Sequence, residues 1–109
     1  MDRALTDRER AVLDWMLIGD FDGADMYRAQ IPELRVRGMC GCGCPTIDFV
    51  ASGAGTGYQL PREGWLRGSP VQISLFARDG VLTMLDLTDY AGTTTTFPDP
   101  SDLVETPKK

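Results

Sequence analysis

The chain contains no histidine. A cysteine or serine nucleophile ordinarily needs a neighbouring base, most often an imidazole, and neither Ser52 nor Ser69 has an evident partner in the sequence. Nucleophilic catalysis therefore has little to stand on. No basic run occurs either. Binding to nucleic acid relies on clustered Lys and Arg that displace counterions from phosphates, so the sequence argues against a nucleic-acid partner. Long apolar stretches are missing as well. Residues 11–18 form the longest one near the start, and Asp14 interrupts it. It is too short to cross a bilayer and lacks the layout of an export signal, which predicts a cytoplasmic protein without a membrane partner. Cysteine is scarce and odd in number, three in all, and an oxidising compartment would leave one thiol unpaired.

What is present fits one domain over residues 1–109. A chain of 109 residues buries roughly 65% of its unfolded surface and holds a core without staples. The composition, 42% hydrophobic and 25% charged, is that of an ordinary globular domain, with a net charge of −5. An acidic domain attracts basic partners.

The first strong local signal is Thr6-Asp7-Arg8-Glu9, a capping box in which Thr6 and Glu9 satisfy each other's backbone amides. It predicts a helix over residues 7–18. Val12, Trp15 and Met16 lie on one side of it, Leu13 and Leu17 flank them, and Gly19 supplies the C-cap. Asp20-Phe21-Asp22-Gly23 reads as a tight connection, with Asp22 capping a second helix that ends near Gln30, before Pro32. Ala24, Tyr27 and Ile31 share a face of that helix.

The remainder is β-rich. Residues 33–37 alternate polar and apolar, and residues 46–50 resume that pattern after an interruption. Residues 51–57 read as a Gly/Ser/Ala loop. Residues 59–69, with Pro61, Gly64 and Gly68, read as irregular surface with Trp65 folded back. Asp79-Gly80 between two apolar runs predicts a hairpin with a type I′ turn. Regular pairing from that turn sets Leu75 opposite Met84. Val71, Ile73, Leu75, Ala77, Leu82 and Met84 then share the core face, and Phe76, Val81, Leu85 and Leu87 take the other. Residues 93–97 suggest a short edge strand, and residues 100–109 a frayed acidic tail. The expected fold is α+β: two N-terminal helices packed on a mostly antiparallel sheet of four or five strands, with the hairpin near its middle.

All three cysteines fall in Met39-Cys40-Gly41-Cys42-Gly43-Cys44-Pro45. In an extended stretch the sulfurs of Cys40, Cys42 and Cys44 would stand about 7 Å apart, too far for one tetrahedral zinc. A metal site would need a curled loop and an oxygen ligand such as Asp48. A redox role would need a thiolate stabilised by Arg35 or Arg37. The plainer reading is packing, with small apolar side chains and glycines that admit close neighbours. The glycines of residues 53–57 do not open a helix, so they do not read as a phosphate cradle. No pair of carboxylates is singled out by spacing for acid–base chemistry, and no cofactor is expected. Asp14, Asp20, Asp22 and Asp25 cluster along the helical third. With Phe21 and Tyr27 as aromatic anchors they form a candidate surface for a basic protein.

A capped helix, a second helix, then strands entered through the Gly/Cys stretch: this layout resembles small bacterial immunity proteins of toxin–immunity pairs, including contact-dependent growth inhibition systems. The resemblance implies a non-enzymatic protein that binds and neutralises a cognate toxin domain. It transfers no individual residue. The alternative is a thiol- or metal-binding protein using the three cysteines.

Overall fold

The computed structural model describes residues 2–19, 21–39, 45–50, 59–90, 92 and 94–105. Helix α1 spans Asp7–Met16. The capping box forms as read: Thr6 Oγ1 accepts from the Glu9 amide at 3.1 Å, and Glu9 Oε1 accepts from the Thr6 amide at 2.9 Å. The helix stops two residues short of Ile18. Its open end is closed from a distance, because the Arg28 guanidinium donates to the carbonyls of Leu17 and Gly19. A cation there also complements the negative end of the helix.

Helix α2 spans Ala24–Gln30. Gly23, at φ 82°, occupies the capping position expected for Asp22, and no side chain caps the helix. Ala24, Tyr27 and Ile31 are buried as their spacing predicts, and Pro32 sits in a short 3₁₀ turn. Strand β1 (Arg3–Ala4) pairs antiparallel with β2 (Arg35–Val36).

The main sheet has six strands, more than the four or five expected. They are β3 (Gly38–Met39), β4 (Ile47–Asp48), β5 (Gln59–Leu66), β6 (Val71–Arg78), β7 (Val81–Asp89) and β8 (Leu103–Glu105). Their order is β3-β4-β7-β6-β5-β8, and every pairing is antiparallel. The β6–β7 hairpin is central, and its turn has positive φ at both Asp79 and Gly80, as a type I′ turn requires.

The faces of that hairpin differ from regular pairing. Arg78 opposes Val81 and Ala77 opposes Leu82, but Phe76 then opposes Met84 and Leu75 opposes Leu85. Thr83 is the extra residue of a β-bulge. Because side chains alternate strictly, one inserted residue moves everything beyond it to the opposite face. Leu85 and Leu87 therefore enter the core, and Met84 leaves it.

Two further stretches are more regular than their composition implies. Residues 59–66 form a strand, not irregular surface; its register slips between Gln59 and Arg62, around Pro61, which has no amide to donate. Of residues 100–109, expected as a frayed tail, Pro100–Asp102 form a 3₁₀ turn and Leu103–Glu105 a strand on β5 with Leu103 buried, while residues 106–109 lie outside the described residues. Of residues 93–97, expected as an edge strand, the described residues 94–97 are not one, although Phe97 is buried.

The helices cover one face of the sheet. Leu13, Met16 and Leu17 meet Ile73, Leu75, Leu82, Leu85 and Ile47 in one core. Trp15 lies against Gly64 of β5, where a Cβ would stand 2.7 Å from the indole ring. Gln30 ties α2 to the hairpin: its amide donates to Gly80 O at 2.8 Å and accepts from the Leu82 amide at 2.9 Å.

Candidate functional site

The predicted acidic surface divides under the structure. Asp14, Asp22 and Asp25 are exposed. Asp14 faces Arg10 at 3.8 Å and Asp25 faces Arg28 at 3.0 Å, contacts too open to water to be worth much. Tyr27 is 6% exposed and belongs to the core, so its helical spacing marked packing, not an anchor. Phe21 is half-buried, with the Arg62 guanidinium 4.9 Å and the Arg28 guanidinium 6.0 Å from its ring centre. These two cations offset part of the patch's negative charge. Asp20 lies outside the described residues.

The residues Cys40, Cys42 and Cys44 also lie outside the described residues. Beside their flanks, Met39 and Pro45, is a cleft of about 200 Å³ bounded by Thr6, Arg8 and Glu9 at the start of α1 and by Phe97. Among the described residues, Glu9 is the one carboxylate lining it. Burial pushes its pKa up, but a bidentate pair with Arg3, at 2.8 and 2.9 Å, and the Thr6 amide outweigh burial and hold it below the usual range. A carboxylate this occupied and this acidic makes a poor general base or acid near neutral pH. Among the described residues, no group of three or more His, Cys, Asp or Glu could hold a metal ion, and no helix is long and apolar enough to cross a membrane.

Sequence reasoning missed the roles of Arg28, Arg62 and Gln30. Each acts on a residue between 9 and 52 positions away, and no local pattern signals such a contact. It also missed that Trp65 and Tyr90 meet on the sheet face turned away from the helices, where they stack at 6.4 Å between ring centres and 17° between planes. The alternation of β5 would have exposed this face had the strand been read as one. Comparison with protein families, curated proteins and solved structures found no match for this chain.

Proposed function

We propose that the chain is a non-enzymatic, cytoplasmic binding protein, an immunity protein that occludes a basic toxin domain. The observation that carries this reading is the acidic balance of the chain, a net charge of −5, with carboxylates such as Asp14, Asp22 and Asp25 held in water where they can steer a basic partner toward it. Carboxylates held in water beside a half-buried aromatic favour fast, charge-steered encounter with a cationic surface. Many toxin domains are basic nucleases, and an acidic blocker is their physical complement. The layout resemblance to immunity proteins points the same way.

Co-expression with the toxin domain encoded beside it tests the proposal. The expected result is rescued growth and a complex on a sizing column; neither appearing would overturn it. Stoichiometric zinc or copper in protein purified under reducing conditions would instead move the function to Cys40, Cys42 and Cys44.

A further inference from the structure

The open face of the main sheet is organised in rungs. Cross-strand pairing sets Asp86, Ser74 and Glu63 side by side, with Met84 and Phe76 on the rung below and Gln72 and Trp65 on the rung above. Ser74 is the low point, its neighbours on both strands being longer carboxylates. Both acids are held in place: Gln72 donates to Glu63 at 2.8 Å, while Thr46 and Thr88 each donate to Asp86 at 3.0 Å. Among the described residues, neither helix lies over this face. Tyr90, stacked on Trp65, is 67% exposed.

We infer that this face, and not the helical patch, is the principal docking surface for the basic partner, and that a partner Arg or Lys side chain sits over Ser74 between Asp86 and Glu63. The inference rests on the binding-protein reading and names its surface. The chemistry selects the occupant. A guanidinium or ammonium over Ser74 meets two carboxylates laterally and the rings of Phe76 and Trp65 along the strands, the combination that favours cations. A second copy of this chain is disfavoured, since it would set Asp86 and Glu63 against acids of the same face. Among the described residues of β5, β6 and β7 the basic ones are Arg62, which turns to Phe21 and Glu105, and Arg78 at the hairpin turn, so the rung of Asp86, Ser74 and Glu63 holds none. The helical patch lacks these features, because Tyr27 is buried and Phe21 already carries two guanidinium groups.

The test is amide and indole NMR of the whole chain, titrated with a short arginine–glycine peptide and, separately, its glutamate–glycine counterpart. The arginine peptide is expected to shift the Trp65 indole and the Ser74, Gln72 and Asp86 amides saturably. Glu63→Gln should weaken that binding about five-fold, the scale of one partly exposed charge pair. Shifts confined to Asp14, Asp22 and Asp25, no shifts, or an equal response to the glutamate peptide would each overturn it. In the co-expression assay, failure of the unmodified chain to rescue growth defeats the binding reading itself. Rescue that survives Glu63→Gln combined with Tyr90→Ala, but is lost with Asp14→Asn combined with Asp25→Asn, defeats only the choice of face.

Discussion

Trp15 occupies the space that any side chain at position 64 would need. A Cβ built on Gly64 falls 2.7 and 2.8 Å from two carbons of the indole and 3.1 Å from the Val104 carbonyl oxygen. The glycine lets α1 close onto β5, and the strand edge at β8 closes with it. Gly64→Ala is therefore expected to cost about 1–3 kcal/mol through overpacking. Denaturant titration would show it as a lower midpoint at unchanged slope. Combining it with Trp15→Leu should recover part of the loss, with a coupling of at least about 0.5 kcal/mol. Strict additivity would mean that the two residues do not compete for space.

The bulge at Thr83 makes a paired prediction. Leu85→Ala should cost about 2–5 kcal/mol, as for other buried leucines, while Met84→Ala, on the open face, should cost about 1 kcal/mol or less. Equal costs would mean that the hairpin pairs without the extra residue. Thr83 is itself 4% exposed, and its hydroxyl has no hydrogen-bond partner among the described residues. Thr83→Val removes an unsatisfied buried group and should stabilise the fold by about 1 kcal/mol.

Gln30 presents its amide to the hairpin much as a neighbouring strand would, donating to Gly80 and accepting from Leu82. Gln30→Ala should cost about 1–2 kcal/mol and speed hydrogen exchange at the Leu82 amide. Gln30→Glu keeps the acceptor and loses the donor, so the Leu82 amide should stay protected.

Acid should weaken the Arg3–Glu9 pair in a definite direction. The Glu9 pKa is lower in the folded chain than in the unfolded one, so the ionised form favours folding. That contribution is complete above the ordinary glutamate value of about 4.3 and is lost as pH falls through it toward the lower folded value. Glu9→Gln should flatten the stability–pH curve in this window. Arg3→Ala should cost about 2 kcal/mol at neutral pH, less than a fully buried pair because Arg3 is one-third exposed.

What could be read from the sequence was what is written locally. Thr6 with Glu9, and Asp79 with Gly80, each specify a structure within four residues, and both form. The helical spacing of Ala24, Tyr27 and Ile31 identified a buried face, but the same spacing could not separate an interface tyrosine from a core one. Residues 59–66 were illegible as a strand because Pro61 and Gly64 oppose strand propensity; their reasons are a register slip and an indole, both supplied by the tertiary fold. Hairpin register was legible only as far as the bulge. For the candidate site, Asp14, Asp22 and Asp25 are exposed, while the cations at Phe21 arrive from Arg28 and Arg62 across the fold.

The described strands at the two borders of the main sheet are two and three residues long, β3 and β8. Such short borders offer a stray polypeptide few unpaired backbone groups to latch onto. For the docking role proposed above, such borders let the sheet face stay open without copies of the chain zipping together edge to edge into fibres.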